Sequence, residues 1–205
     1  MSLAARLREE TRELHRAAEG SAAMRALLAG RMDRAAYARL LRALHAMYVA
    51  LEAGLAAHAA RPGLAWIPLA ALARSASLAA DLDVVAGAAW RETPPVAEAA
   101  AYADRLTTLA AKDPDLLAAH AYLRYLGDLS GGRLLGRAVR DSLGLTPERG
   151  AAFYEFPEVP DVGALRRAFR AGLDAAPLDA DGVVDEARRA FAAHGRLFAA
   201  LDATR

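Results

Sequence analysis

The sequence predicts an all-α fold that forms one helical domain over residues 1–205. Hydrophobic residues make up 55% of the chain but aromatic residues only 6%, because much of the apolar content is alanine. Alanine is the best helix former, and stretches rich in Val, Ile, Tyr and Thr, which are typical of strands, are missing. Apolar residues also recur at helical spacing, between residues that commonly begin or end helices.

The N-terminal part of the chain is predicted to contain two helices. Residues 3–19 place apolar and small side chains on one face, which predicts an amphipathic helix. Gly30 interrupts this pattern. Asp33 is a suitable N-cap for a long second helix that reaches about His58.

The next part of the chain is predicted to be less regular. Residues 61–73 contain two prolines and a glycine, which predicts a turn with room for a short helix. Residues 75–90 have only a weakly helical pattern. Thr93 and Pro94 look like a cap and a first-turn proline, and they predict a helix that runs to about Ala111.

The longest predicted helix follows, and two more helices complete the chain. Asp113 repeats the start signal, together with the proline after it, and opens a helix to about Leu143, where Gly144 is a plausible stop. Thr146 begins a Thr-Pro-Glu sequence that predicts a short helical turn. Residues 153–160 are predicted to be irregular. The aspartates that can cap the last two helices are Asp161 and Asp181.

Composition and charge exclude several classes of function. The 26 basic and 25 acidic residues leave a net charge of +1, so no overall field favours a nucleic-acid partner. The chain has no cysteine, which excludes disulfides, thiolate catalysis, Cys-ligated zinc and iron–sulfur clusters. Residues 1–20 are too charged for a signal peptide, and charges interrupt every long apolar stretch. We therefore expect a cytoplasmic protein.

Three glycines lie inside the longest predicted helix, within the run from Tyr122 to Gly132. Each interior glycine lowers helix preference by about 1 kcal/mol relative to alanine, which suggests a reason for placing them there. Gly127 and Gly131 are one turn apart and expose a strip of backbone, which a flat ligand can approach closely. Close helix–helix packing, or a break between two shorter helices, would explain the same glycines. Phosphate binding is a weaker explanation, because no P-loop lysine follows.

Charged residues beside these glycines have a simpler interpretation. Arg124 and Asp128 are spaced i,i+4, which is typical of an exposed ion pair worth well under about 1 kcal/mol. From the residues alone, that interpretation is preferred to a catalytic one.

The first helix has a possible ligand-binding face. Arg8 and His15 are seven positions apart, so on a straight helix both point to one side, about 10 Å apart along the axis. An imidazole can bind a metal and an arginine can bind a carboxylate, so this separation suits a haem iron and a haem propionate. The alternative is that His15 lies at the boundary of an ordinary amphipathic helix, which is the default for the other histidines too: His45, His58, His120 and His194. A dinuclear metal bundle is excluded, because no glutamate is followed three residues later by histidine.

Two segments of the chain resemble the haem oxygenase family. Residues 6–15 resemble that family's first helix, and Tyr122 to Gly132 closely resembles its distal-helix signature, including the Gly-Asp-Leu-Ser-Gly-Gly core. Shorter matches lie at residues 47–52, 153–157 and 190–191, so the resemblance extends from about residue 6 to about residue 201. It implies a soluble, bacterial-type member with the haem oxygenase-like helical fold, in which haem lies between the first helix and a glycine-kinked distal helix. Haem would be both substrate and cofactor, cleaved with O2 to biliverdin, CO and ferrous iron.

The resemblance also implies roles for individual residues. His15 matches the histidine that coordinates haem iron, and Glu19 matches a neighbouring carboxylate. Gly127 and Gly131 match the glycines whose backbone lies over the haem, and Asp128 matches the aspartate that acts on oxygen only through ordered water. The remaining matches are two members of that water network, Arg124 and Tyr48, and four positions that hold the propionates, Arg8, Tyr122, Arg166 and Arg170.

Three positions depart from the family pattern. Arg8 and Arg166 stand where better-known members have lysine, which keeps the charge but changes its reach and geometry. His194 stands where asparagine is expected in the distal water network, and a histidine there adds a titratable group.

The resemblance implies an external electron donor, because the sequence contains no motif for flavin, nicotinamide or an iron–sulfur cluster. We expect a ferredoxin or a flavoprotein reductase to dock on arginines near the haem edge. A protein that accepts the bilin product is a further candidate partner. Two alternatives remain: a protein that binds or sequesters haem without cleaving it, and a purely structural helical module.

Overall fold

The computed structural model describes residues 1–203, and every regular element of more than one turn in that part of the chain is helical, as composition predicts. The only β-type pairing there consists of isolated bridges at Thr146. The helices are α1 (Leu3–Glu10), α2 (Arg12–Glu19), α3 (Ala22–Leu28), α4 (Arg34–Ala57), α5 (Leu69–Leu72), α6 (Ser75–Ala86), α7 (Ala97–Lys112), α8 (Leu117–Leu143), α9 (Val162–Ala175) and α10 (Ala180–Ala203).

Helices α4, α8 and α10 organise the packing. Helix α4 lies against α6 and α7, and α8 lies against α3, α9 and α10. Helix α10 also contacts α1, α2, α3 and α7, so it links the beginning of the chain to its middle. Buried Tyr37, Tyr48, Tyr125 and Phe169 are among the largest side chains of the resulting core.

Helix α4 is the one helix within residues 1–203 that is long and apolar enough to cross a membrane. More than half of its most apolar window, 56%, is buried inside the protein. That burial is typical of the central helix of a folded domain, because a side chain packed against α6 or α7 is not available to lipid.

Several predicted helix ends are confirmed. The Asp33 side chain accepts a hydrogen bond from the Ala36 N–H at 2.7 Å, and Asp161 accepts one from the Ala164 N–H at 2.9 Å. The longest helix ends at Leu143, where Gly144 has a φ of 65°, a conformation that favours glycine.

Of two other predicted starts, one is wrong and one is correct in position but not in its cap. Thr93 does not cap α7, which begins at Ala97, because consecutive prolines at 94 and 95 keep the preceding residues extended. The proline after Asp113 opens a short 3₁₀ turn that continues into α8 at Leu117, and Asp113 makes no capping bond.

The segment after α8 also differs from its prediction. Thr146 begins a tight turn rather than a helical one, since its N–H donates to the Arg149 carbonyl at 3.2 Å and Gly150 reverses the chain with a φ of 94°. A 3₁₀ turn covers Ala152–Tyr154, and the chain is irregular from there to Asp161. Asp181 lies inside α10, and its own backbone N–H donates to the Asp179 side chain, which takes the capping role instead.

The helix predicted over residues 3–19 is divided at Thr11, which separates α1 from α2. The buried Thr11 hydroxyl donates to the Leu7 carbonyl at 2.6 Å, and such a bond to the preceding turn bends helices. Backbone hydrogen bonds still cross the bend, from Thr11 to Leu7 and from His15 to Thr11. Arg8 and His15 therefore belong to consecutive helices, not to one face of a straight helix.

Candidate active site

Two neighbouring turns of α10 support the residues that the sequence singles out. The Phe191 ring packs edge-on against His15 of α2, with ring centroids 5.9 Å apart. One turn later, His194 lies 3.2 Å from the Arg124 guanidinium of α8. Helices α2 and α8 both pack on α10, so the imidazole and the glycine-containing helix lie on elements that share one supporting helix.

His15 is free to bind a ligand. Its side chain is 52% exposed, and α2 contains no buried residue. Its Nδ1 lies 3.4 Å from a carboxylate oxygen of Glu19, one turn further along. A carboxylate at Nδ1 orients a histidine ring and leaves Nε2 as the ligand atom, as is common for metal-binding histidines.

The glycines of α8 have different surroundings. A Cβ atom added to Gly127 or Gly131 would meet no atom within 4 Å, so these two positions expose backbone to open space. By contrast, a Cβ atom at Gly136 would lie 2.7 Å from the Cβ atom of Tyr154. Helix packing therefore explains Gly136 but not Gly127 or Gly131, and the unbroken α8 rules out two shorter helices.

Arg124 and Asp128 form an ion pair at 3.2 Å, but it is buried, contrary to the exposed pair expected from spacing. Their side chains are 13% and 9% exposed. The Tyr48 hydroxyl donates a short hydrogen bond to the other oxygen of Asp128, and Tyr48 accepts one from the Arg124 Nε at 3.1 Å. A buried carboxylate is thus held by one cation and one hydroxyl.

Burial dominates the electrostatics of this group. It raises the pKa of Asp128, although the nearby charge of Arg124 and the Tyr48 hydroxyl act in the opposite direction. Burial also raises the pKa of Tyr48 well above its ordinary value, so this hydroxyl stays protonated. The arrangement suits a group that holds and releases protons.

A basic cluster lies where α9 packs on both α1 and α8. Burial raises the pKa of the Tyr122 hydroxyl, while the charges of Arg170 and Arg8 oppose that rise. Arg166 lies one helical turn before Arg170, and its buried Nε has no hydrogen-bond partner. Within residues 1–203, none of these three arginines forms an ion pair with a carboxylate.

Sequence reasoning missed a second buried cation whose charge acts on Asp128. The Arg74 Nε donates to the Ala73 carbonyl at 2.6 Å, and its guanidinium lies 4.1 Å from the centre of the Phe156 ring. The charge of Arg74 lowers the pKa of Asp128. Arg74 falls in a segment without clear periodicity, so no sequence signal pointed to it.

The expectation that the other histidines lie between the polar and apolar faces of amphipathic helices is wrong for two of them. His120 and His194 are only 1% and 5% exposed. His58 bonds the Ala110 carbonyl at 2.8 Å, and His45 packs edge-on against a tryptophan ring, so both have structural contacts.

Comparison with known proteins gives one consistent result. A family model described as "Heme oxygenase" matches residues 1–200. "Heme oxygenase 1" of Synechocystis sp. is 36% identical over 206 residues, covering 98% of this chain and 85% of the relative. "Heme oxygenase 2" of the same organism is 40% identical over 197 residues, covering 93% and 79%.

Solved structures agree with that result. The crystal structure of Synechocystis heme oxygenase-1 in complex with heme matches with a TM-score of 0.94 and 36% identity, covering 100% of this chain and 94% of that one. The heme oxygenase of Leptospira interrogans matches with a TM-score of 0.91 and 34% identity, covering 97% and 98%. The arrangement of helices described above is therefore shared with both.

Proposed function

This chain belongs to the haem oxygenase family, whose members degrade haem to biliverdin, and from that premise we propose which of its residues bind haem and deliver protons. The chain is an enzyme that cleaves haem oxidatively with O2 and externally supplied electrons, releasing biliverdin, CO and ferrous iron. The observation that carries the residue assignments is the open backbone at Gly127 and Gly131, together with a half-exposed imidazole on α2, which packs on the same α10.

The described residues fit a flat macrocycle with two carboxylates. His15 would ligate the iron through Nε2, with Glu19 orienting the ring from the other side. Gly127 and Gly131 would let the α8 backbone lie against the opposite face, since a side chain at either position would occupy that space.

The propionates would bind at the basic end of the site. Arg8, Tyr122, Arg166 and Arg170 supply three cations and a hydroxyl, and guanidinium groups bind carboxylates in bidentate fashion. The unpaired state of the arginines supports this role, because a carboxylate partner is what each of them lacks.

When bound, haem supplies O2 activation at its iron and is itself the ring that is opened. Asp128 would hold the water that delivers protons to the reacting oxygen, without touching that oxygen directly. Arg124 keeps the Asp128 carboxylate in one orientation, and Tyr48 keeps its second oxygen occupied.

Electrons would come from a ferredoxin or a flavoprotein reductase that docks near the haem edge. Arg167, next to the proposed Arg166 site, is 73% exposed and only loosely paired with Asp161 at 3.9 Å, so it offers a positive charge to an acidic donor. A bilin-accepting protein and a cytoplasmic location remain predictions from the sequence and the family.

Aerobic turnover with product chromatography tests the function. Purified protein is incubated with haem, a reducing system and O2, and the expected result is biliverdin with release of CO. A sharp Soret band without any green product would instead indicate haem binding alone, and the absence of a Soret band would indicate a structural helical module.

Replacing His15 with alanine tests the iron ligand. We expect weaker haem binding and loss of the absorbance spectrum of a histidine-ligated iron, with partial recovery when imidazole is added. His58→Ala is the matched control, because His58 lies at the end of α4, outside α2, and bonds the Ala110 backbone carbonyl. An unchanged spectrum in the His15 variant would place the ligand elsewhere.

A further inference from the structure

We propose that His194 is a positioning residue: its Nε2 fixes the Arg124 guanidinium, and a chain of hydrogen bonds that ends at Glu186 holds its ring in one tautomer. The inference rests on the proposed roles of Arg124 and Asp128 in proton delivery. It concerns this chain specifically, because a histidine stands at this position.

Arg124 has a separate acceptor for each of its nitrogens. Nε donates to the Tyr48 hydroxyl at 3.1 Å, Nη2 donates to Asp128 at 3.2 Å, and Nη1 lies 3.2 Å from the His194 Nε2. A guanidinium has no acceptor atom, so the His194 Nε2 must accept. The ring is then neutral and carries its proton on Nδ1.

The rest of the environment agrees with a neutral His194. The side chain is 5% exposed, and burial together with the Arg124 charge lowers its pKa well below the ordinary value. Its other ring neighbours are aromatic: the Phe198 ring at 4.5 Å and the Tyr102 ring at 6.5 Å between centroids. A protonated ring would lose its acceptor and place a second cation beside Arg124.

The proton on Nδ1 needs an acceptor, because this buried atom has no partner among the described residues. Buried donors in folded proteins are nearly always satisfied by protein or by ordered water. The Tyr102 ring packs edge-on against the His194 ring at 6.5 Å between centroids, so in this proposal the Tyr102 hydroxyl accepts the Nδ1 proton through an ordered water.

The hydrogen bonds beyond Tyr102 determine whether its oxygen is free to accept. His120 is buried between the Tyr102 hydroxyl, 2.9 Å from Nδ1, and Glu186, 3.1 Å from Nε2. Arg105 and Arg189 hold Glu186, whose pKa is lowered to about 2, so this carboxylate only accepts.

It follows that the His120 Nε2 donates to Glu186 and that its Nδ1 accepts from the Tyr102 hydroxyl. The Tyr102 oxygen therefore keeps a lone pair for the water bonded to His194. Every donor in the chain then points from the Arg124 cation towards the Glu186 anion. The two buried histidines hold opposite tautomers, with the proton on Nδ1 in His194 and on Nε2 in His120.

Nitrogen-15 NMR of the full-length chain tests the tautomers without any turnover. The haem-free protein, labelled at its histidines, is expected to show a neutral Nδ1–H ring for His194 and a neutral Nε2–H ring for His120 near neutral pH. Spectra of His194→Gln and His120→Gln assign the two signals. A His194 signal with the proton on Nε2, or with both nitrogens protonated, would overturn the proposal.

A pair of variants tests the effect on turnover. His194→Leu removes the acceptor at similar volume and should lower kcat by roughly tenfold, with haem affinity unchanged, because Arg124 loses one of three fixed contacts. His194→Gln places an amide oxygen near the Nε2 position and should restore kcat to within about threefold of the parent.

The outcomes separate this proposal from the proposed function. Equal kcat values for the parent and His194→Leu, with the same pH profile, would refute the positioning role, and so would a His194→Gln protein as slow as the leucine variant. If His194→Leu fails to fold, the glutamine variant and the NMR tautomers decide the question. Absence of biliverdin from the parent chain itself would instead refute the proposed function and leave the tautomer result standing.

Discussion

The Asp128 side chain is buried, and its i,i+4 spacing from Arg124 in the sequence does not reveal that burial. An i,i+4 pair with Arg124 is usually a solvated surface contact of little energetic value. Here both side chains are withdrawn from solvent, and the carboxylate has a hydroxyl on one oxygen and a guanidinium on the other. Packing of α4 against α8, which brings Tyr48 to this point, is what converts the pair into a candidate proton-delivery group.

We predict that Asp128→Ala binds haem normally but loses biliverdin formation. The Asp128 carboxylate is hydrogen-bonded to other protein groups and does not fill the open space beside Gly127. Haem affinity should therefore stay within about threefold of the parent. Removing a group that organises proton transfer should lower turnover by about 100-fold or more. Soret titration measures the first quantity and bilin absorbance the second.

Asp128→Asn is the matched control, because it keeps the side-chain volume and an acceptor oxygen while removing the negative charge. It should fold and bind haem like the parent and should be nearly as slow as the alanine variant. Normal turnover by Asp128→Ala would exclude the proton-delivery role.

Glu186 makes part of the free energy of unfolding decrease at acid pH. Burial alone would raise its pKa, but hydrogen bonds from His120 and Arg105 outweigh burial and lower the pKa from 4.5 to about 2. A carboxyl group with a lowered pKa stabilises the folded state fully above its unfolded pKa and loses that contribution as pH falls towards the folded pKa. The relevant window is therefore from about pH 4.5 down to about pH 2.

We predict that Glu186→Gln removes this part of the acid sensitivity. The free energy of unfolding of the parent should fall between about pH 5 and about pH 2.5 by roughly 2 kcal/mol more than that of the variant. Urea denaturation at a series of pH values measures the difference. Asp185→Asn, one residue away with an exposed carboxylate that pairs with Arg188, is the control and should follow the parent. Parallel curves for the parent and Glu186→Gln would contradict the lowered pKa.

At the level of the helix, the glycines of α8 differ in their surroundings and fall into two kinds. Gly136 is required by contact with Tyr154, and Gly127 and Gly131 have no contact that requires them. In the absence of haem, all of them weaken the helix, because each lacks the side chain that lowers backbone freedom in the unfolded chain. The proposed function therefore assigns the open positions to a ligand, whereas the closed position is explained by packing.

We predict opposite effects of alanine at these positions. Gly127→Ala and Gly131→Ala should each stabilise the haem-free protein by about 1 kcal/mol, and each should weaken haem binding and lower turnover. Gly136→Ala should destabilise the haem-free protein, since its new Cβ would lie 2.7 Å from that of Tyr154. Thermal unfolding and haem titration measure the two effects.

Gly195→Ala is the matched control for the open positions. Gly195 lies in α10, and an added Cβ there also meets no atom within 4 Å. It should produce the same gain in stability without any change in haem affinity. A Gly127→Ala or Gly131→Ala protein with unchanged haem affinity and turnover would show that the open backbone is not used for haem.

Helix ends were predictable from sequence where one residue fixes the backbone by itself. Asp33 and Asp161 cap their helices through their own side chains, and Gly144 adopts a conformation that other residues avoid. Thr93 and Asp181 have the same local signals without the corresponding structure, because the neighbouring prolines and Asp179 determine those starts. A cap residue predicts a helix start only when its neighbours permit one.

At the scale of the whole molecule, the candidate site could be predicted where its motifs are local. His15, Gly127, Asp128 and their neighbours lie in two short segments that resemble one family. Interactions between residues far apart in sequence had no such signal: the charge of Arg74, just before α6, acts on Asp128, and Glu186 meets His120 across 66 positions. Charge pairs of this kind depend on how the helices pack and leave no periodic trace in the chain.

The same long-range packing supports the prediction that residues 1–205 form one domain. One hydrophobic cluster includes side chains from Leu7 in α1 to Phe198 in α10, and no described helix lies outside the network of contacts. The two tryptophans report on separate regions, since Trp66 packs on Phe169 of α9 and Trp90 packs on His45 of α4. If the core is shared, both regions must unfold together.

We therefore predict a single cooperative thermal transition in which tryptophan fluorescence and far-UV circular dichroism coincide. Haem at about 100 times its Kd should stabilise the folded state by about 2.7 kcal/mol, which for a chain of this size raises Tm by roughly 5–10 °C. Haem stabilises the parent because it binds only the folded chain. Without haem, His15→Ala should unfold like the parent, and with haem its Tm should rise much less, because the proposed iron ligand is missing. Trp66→Phe and Trp90→Phe separate the two fluorescence signals. Distinct midpoints for them would mean that the chain contains two independently folding units, which a core continuous from α1 to α10 does not permit.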